Sequence, residues 1–161
     1  MGEIVSLKKA LKIRGELKKK RKVVVFTNGV FDILHAGHVQ VLSRAKKMGD
    51  VLILGLNQDE SVRLLGKGPG RPLNRFQDRA AVLAALSSVD YVIGFKEQTP
   101  ENLIRSLRPD ILVKGADYKK SQIAGAPFSG KVARIALKKG YSTTALVKKI
   151  QGLSSRLAQS L

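Results

Sequence analysis

Cysteine is absent from the 161 residues, and so is tryptophan. Without a thiol there is no disulfide, no thiolate zinc site, no iron–sulfur cluster and no cysteine nucleophile. Aromatic residues make up 5% of the chain and histidine occurs only twice, so any imidazole chemistry must come from one pair. No apolar run approaches the ~20 residues needed to cross a bilayer. The opening residues 1–12 lack the apolar core of a secretion signal, and a cytoplasmic protein with no membrane contact is the expectation. What the chain does have is aliphatic: hydrophobic residues reach 43%, in blocks of Val, Ile, Leu and Ala that rule out intrinsic disorder. The length suits one domain able to bury roughly 70% of its unfolded surface.

Acidic side chains are few and unevenly spread, which makes the formal net charge +18. Residues 1–22 hold nine Lys/Arg against two Glu, and residues 119–161 hold nine with no acid at all. Between them the charges nearly balance, twelve basic against ten acidic. The excess therefore sits on the two ends, where a field of this sign also favours an anionic small molecule. The run Lys18-Lys19-Lys20-Arg21-Lys22 has no aromatic residue interleaved for base stacking, so nucleic acid is not the expected partner.

Hydrophobic period gives the organisation. Residues 4–20, with Ile4, Leu7, Leu11 and Ala10, Ile13, Leu17, predict an amphipathic helix. The runs Val23–Phe26, Val51–Leu54, Tyr91–Ile93 and Ile111–Val113, and a weaker one at Val132–Leu137, read as strands apolar on both faces. Helical patterns lie between them at Gly37–Met48, Arg75–Leu86 and Glu101–Leu107, with another at Ala145–Ile150. Lys46, on the first of these, is expected to face solvent. Alternation of this kind predicts an α/β domain with a mainly parallel five-stranded sheet and helices on both faces. The whole chain, 1–161, reads as one domain: a core over 22–150, the N-terminal helix 4–20, and a C-terminal helical extension over 143–161. The stripe Leu153, Leu157, Leu161 on that extension is read as a homodimer contact.

In open sheets ligands bind beyond the carboxyl ends of the strands. The first strand runs into Thr27-Asn28-Gly29-Val30-Phe31-Asp32 and then His35-Ala36-Gly37-His38. Both histidines thus stand three apart at a predicted helix start, on one face. Imidazoles beside the free N–H groups of a helix N-terminus suit a triphosphate whose charge rises during transfer. Two other readings stay open on the residues alone: a satisfied buried histidine, or a metal site of Asp32, His35 and His38. The stretch Gly66–Pro72 reads as a mobile loop carrying Lys67. Ser142 and Thr143 precede the last helical run, and either serves as its N-cap.

These segments resemble the HxGH nucleotidyltransferases of the cytidylyltransferase type. Asn57-Gln58-Asp59-Glu60-Ser61-Val62, Lys67-Gly68-Pro69-Gly70-Arg71-Pro72, Val113-Lys114-Gly115-Ala116-Asp117-Tyr118 and Tyr141-Ser142-Thr143-Thr144 follow in the family's order, over residues 22–150. The resemblance implies a Rossmann-like nucleotidyltransferase fold. It implies catalysis by His35, His38 and Lys67, and nucleotide binding by Thr27, Asn28, Gly29, Phe31, Asp32, Gly37, Lys114, Gly115, Asp117, Ser142, Thr143 and Thr144. Asn57, Asp59 and Arg79 would touch the acceptor, although turn-forming roles for the first two and a surface position for Arg79 fit the sequence as well. Mg²⁺ would arrive with ATP, without a dedicated protein metal site. Cytidylyltransferases acting on glycerol or choline phosphate carry Arg-Thr-Glu-Gly before their Ser-Thr, where this chain has Leu137-Lys138-Lys139-Gly140. That difference points to the branch acting on ATP and D-glycero-β-D-manno-heptose 1-phosphate for lipopolysaccharide synthesis, in a form lacking the kinase domain some members carry. A cytidylyltransferase using glycerol 3-phosphate or an amino-alcohol phosphate is the alternative.

Overall fold

The computed structural model describes residues 1–116, 123–136 and 140–159, with side chains through residue 153. Asp117, Leu137-Lys138-Lys139 and the side chains of Leu157 and Leu161 lie outside the described residues. The elements run β1 (Glu3–Ile4), α1 (Leu7–Lys19), β2 (Val24–Gly29), α2 (Ala36–Lys46), β3 (Val51–Asn57), α3 (Asp59–Leu64) and α4 (Phe76–Ala84). They continue with β4 (Tyr91–Phe95), α5 (Glu101–Leu107), β5 (Ile111–Gly115), β6 (Lys131–Ile135) and α6 (Thr143–Gln159).

The sheet is wholly parallel, in the order β1-β4-β3-β2-β5-β6. It has six strands where the sequence predicts five. The sixth is β1, a two-residue edge strand that pairs Glu3 with Tyr91 and Ile4 with Val92. Gly2 N–H donates to Ala84 O at 2.7 Å, which ties this start of the chain to the end of α4. Ile4 therefore belongs to a strand rather than to the helix stripe, and is 48% exposed. The helix opens only at Leu7, after the Ser6 hydroxyl accepts the Lys9 N–H at 3.3 Å.

The pleat divides the core. Val25, Leu52, Leu54, Leu56 and Val92 face α2 and α4, meeting Leu42, Ala45, Ala80 and Leu83. Val24, Phe26, Ile53, Ile93 and Leu112 face the other way, against Ala10 of α1 and Leu103, Ile104 and Leu107 of α5. These central-strand residues are fully buried on both faces, which is why their runs show no alternation in sequence.

Three aspartates stand just before β3, β4 and β5. Each accepts a backbone N–H at the start of a neighbouring strand: Asp50 from Val23 at 2.8 Å, Asp90 from Leu52 at 2.6 Å, and Asp110 from Val24 at 2.7 Å. Each is also paired with a cation, namely Lys22 at 2.9 Å, Lys46 at 2.6 Å and Arg14 at 2.9 Å. Lys46 is therefore not the free solvent lysine its helix position predicts. Its ammonium also donates to Asp50 O. Among the described residues no helix is long and apolar enough to cross a membrane.

Candidate active site

β2 sits between β3 and β5, and β3 and β5 lead the chain to opposite sides of it. This is where strand order reverses, and the crevice beyond the carboxyl ends of such strands is the expected ligand position. Two contacts close the strands there. Thr27 Oγ1, buried, donates to Val113 O at 3.1 Å, and Lys114 Nζ donates to Asn28 Oδ1. Burial pushes the Lys114 ammonium down to about 8. Gly115 ends β5, half-buried beside it.

After Gly29 the chain turns sharply. Phe31 takes a left-handed φ of +47° and lays its ring against Gly29, where an added Cβ would lie 2.8 Å from the ring. The same ring lies 4.9 Å from that of His38. His35 is the N-cap of α2, in extended backbone, and its Nδ1 accepts the His38 N–H at 3.3 Å. An imidazole that caps a helix in this way must carry its proton on Nε2. The two histidine rings stack, with centroids 3.7 Å apart and planes 16° from parallel.

Packing sets their charge. Burial lowers the His35 pKa, and lowers that of His38 to about 4, where nearby His35 adds to the shift. Both rings are neutral donors near pH 7. His38 Nδ1 is buried without a hydrogen-bond partner among the described residues, at a cost of about 1–3 kcal/mol.

α6 closes the site from the other side. Ser142 is its N-cap, accepting the Ala145 N–H at 3.0 Å, so of the two hydroxyls proposed for capping it is this one that is used. Thr143, already helical, donates to Ile33 O at 3.5 Å in the histidine loop. Thr144 is exposed. Gly37 lets the two helix starts meet: a Cβ there would lie 3.0 Å from His35 Nδ1 and 3.1 Å from Tyr141 Cβ. The structure thus brings together Thr27, Asn28, Gly29, Phe31, His35, Gly37, His38, Lys114, Gly115 and the α6 start.

Lys67 lies exposed on the loop between α3 and α4. Asn57, Arg79 and Asp32, all buried, form a separate group with the half-buried Asp59. Asn57 donates to Ser61 Oγ at 2.8 Å, and Ser61 in turn donates to Glu97 O at 2.6 Å. Arg79 is 2% exposed, so the surface reading of it fails. Its helix position carried the signal: it stands three residues after Phe76 and four before Leu83, on the face that turns inward. Asp32 is 3% exposed and holds the chain at Leu73 and Asn74. Asn74 and Arg71, which complete this group, gave no periodic or spacing signal.

Asp32 is thus turned away from the histidines, and the described residues contain no group of three His, Cys, Asp or Glu that could hold a metal ion.

Residues 26–149 match the cytidylyltransferase-like family model. The chain is 52% identical over 149 residues to the bifunctional protein HldE of Wolinella succinogenes, covering 92% of this chain and 31% of that protein. With the bifunctional protein HldE of Pseudomonas entomophila it shares 49% over 152 residues, covering 92% and 32%. The chain thus spans about a third of the length of the curated relatives it matches. A solved lipopolysaccharide core biosynthesis protein from Thermoplasma volcanium superposes with a TM-score of 0.63 at 31% identity, covering 73% of this chain and 99% of that one. A pantoate-beta-alanine ligase from Francisella tularensis shares the fold alone, with a TM-score of 0.61 at 17% identity, covering 86% and 68%. With the paired histidines at the strand-order reversal and a family match over most of its length, the chain belongs to the cytidylyltransferase-like nucleotidyltransferases.

Proposed function

We propose that this chain transfers the adenylyl group of ATP to D-glycero-β-D-manno-heptose 1-phosphate, giving ADP-heptose and pyrophosphate. The observation that carries the transfer chemistry is the stacked pair of neutral histidines at the α2 N-terminus. The substrate reading rests on the relatives named HldE and on the lipopolysaccharide core biosynthesis protein.

An oxygen of the sugar phosphate attacks the α-phosphorus in line, and the bond from that phosphorus to the bridging oxygen breaks as pyrophosphate leaves. Charge accumulates on the phosphoryl oxygens as this happens. His35 Nε2–H and the His38 ring supply hydrogen bonds there, and they need no proton uptake to do so because both rings are already neutral. The free N–H groups of α2 add a positive potential. Lys114 and Asn28, at the end of β5 and β2, hold the nucleoside side, under the start of α6. Lys67 swings in on its loop as a compact positive charge. Mg²⁺, arriving on the nucleotide, would neutralise phosphate charge.

The test is a substrate panel. The chain is incubated with ATP or CTP and with heptose 1-phosphate, glycerol 3-phosphate or an amino-alcohol phosphate, and pyrophosphate is measured. Release only with ATP plus the heptose phosphate is expected. Release with CTP and glycerol 3-phosphate instead would replace this reading with the cytidylyltransferase one.

A further inference from the structure

The buried group built on Asp32 and Arg79 has no role in the chemistry above, yet it is the most heavily bonded polar cluster in the described structure. Asp32 accepts the Leu73 N–H on Oδ2 and the Asn74 N–H on Oδ1, both at 2.9 Å, with Arg71 Nε also 2.9 Å from Oδ2. Asn74 Nδ2 returns a bond to Asp32 O at 2.6 Å. On its other side Asn74 O accepts Arg79 Nε at 2.9 Å. Arg79 then reaches three more acceptors: Val30 O at 2.7 Å, Asn57 O at 2.9 Å and the Asp59 carboxylate at 2.7 Å. A guanidinium has five N–H groups, and four are spent inside the protein.

These bonds have a clear topological meaning. Val30 and Asp32 lie on the histidine loop. Asp59 opens α3, just ahead of the lysine loop, and Asn74 lies just after it. Arg79 therefore fastens both ends of the arc that carries Lys67, and ties them to the segment that carries the histidines. Between these ties and Arg71, which pairs with Asp32, the glycines stand open: Gly66, Gly68 and Gly70 have φ of +59°, +109° and +71°, and a Cβ on any of them would meet nothing within 4 Å.

We propose that Asp32 and Arg79 are positioning residues that touch neither nucleotide nor acceptor, and that they fix the ends of the lysine loop so that Lys67 closes onto the phosphates held by His35 and His38. The rate readout rests on the adenylyl-transfer reading; a second readout does not. Four variants of the chain decide it: Asp32→Asn, Asn74→Ala, Lys67→Ala and the double Asp32→Asn/Lys67→Ala. Asn74→Ala alters an exposed residue and keeps the test open should Asp32→Asn fail to fold.

Hydrogen exchange at the Leu73 and Asn74 amides, without substrate, should speed up about 10-fold in Asp32→Asn, the size of one hydrogen bond to a charged group. In the reaction, kcat should fall about 10-fold while ATP binding changes less than about 3-fold. Added to Lys67→Ala, the Asp32 change should cost less than about 3-fold more, because its effect passes through the lysine. Asn74→Ala should show the same pattern, weaker. Multiplying losses in the double variant, or a large loss of ATP affinity with both amides still protected, would mean that Asp32 meets the ligand and would overturn the proposal. Unchanged exchange in both Asp32→Asn and Asn74→Ala would overturn it whatever the rates. If the unaltered protein releases no pyrophosphate with any acceptor, the adenylyl-transfer reading falls, and the exchange result alone decides whether the clamp stands.

Discussion

His35 has two jobs that one substitution can separate. Its Nδ1 caps α2, and its Nε2–H is assigned to the phosphoryl oxygens. Asparagine is among the best N-caps and can accept the His38 N–H through its side-chain oxygen, but it has no second ring nitrogen. Alanine loses both functions. A cap of this kind contributes about 0.5–2 kcal/mol. Here the bond is long, 3.3 Å, and the same N–H also reaches His35 O at 2.9 Å, so the lower part of that range, about 0.5–1 kcal/mol, is expected. In a chain of this size that difference lowers Tm by roughly 2–3 °C. His35→Ala should thus unfold a few degrees below His35→Asn, while both lose turnover by about 100-fold, as when one transition-state donor is removed. Thermal unfolding and pyrophosphate release, run on the same preparations, measure both. Equal stabilities would show that the ring nitrogen is not capping the helix. Near-normal turnover in His35→Asn would remove the imidazole from the chemistry.

Two further predictions follow from the same segment. His38 is held down at about 4 in the folded state against 6.5 in the unfolded chain. The unfolded chain therefore takes up a proton first as pH falls, and the folded state loses stability between about 6.5 and about 4. Above that window the contribution of the neutral ring is complete; for a partly exposed ring the loss across it is about 1–2 kcal/mol. Denaturant unfolding at pH 7 and pH 4.5 measures this, and His38→Gln should flatten the dependence; an equal slope in the variant would contradict it. Gly37→Ala should cost about 1–3 kcal/mol by overpacking, since its Cβ falls 3.0 Å from His35 and 3.1 Å from Tyr141. A neutral effect on unfolding would mean that α2 and α6 do not meet there.

The central strands were legible because their residues face apolar helices on both sides, which removes alternation and leaves unbroken β-branched runs. The histidine loop was legible for a different reason: its residue types are rare in this chain and sit where a parallel sheet opens. β1 escaped notice because two residues cannot show a period, and its pairing depends on Tyr91 and Val92, far away in sequence. α3 has six residues and a polar first turn, so Asp59 reads equally as a turn. Asp32 and Arg79 show the deeper limit. Residue type and motif position single them out, but which backbone groups a buried charged side chain holds is decided by what packs around it. The contacts with Leu73, Asn74, Val30 and Asn57 show what they hold, and nothing in the spacing of residues 71–74 announces them.

The aspartates ahead of β3, β4 and β5 have a consequence for how a nucleotide approaches. All strands run the same way, so these carboxylates gather along one edge of the sheet. The opposite edge carries His35, His38, Lys114 and the starts of α2 and α6, and there Asp32 and Asp59 are each matched by an arginine. At both rims these carboxylates are met by a cation, and the run Lys18–Lys22 adds further positive charge just before β2. A polyanion diffusing nearby is drawn by the net charge of +18 before it touches anything, and short-range hydrogen bonding rather than the far field must choose the rim at which it settles.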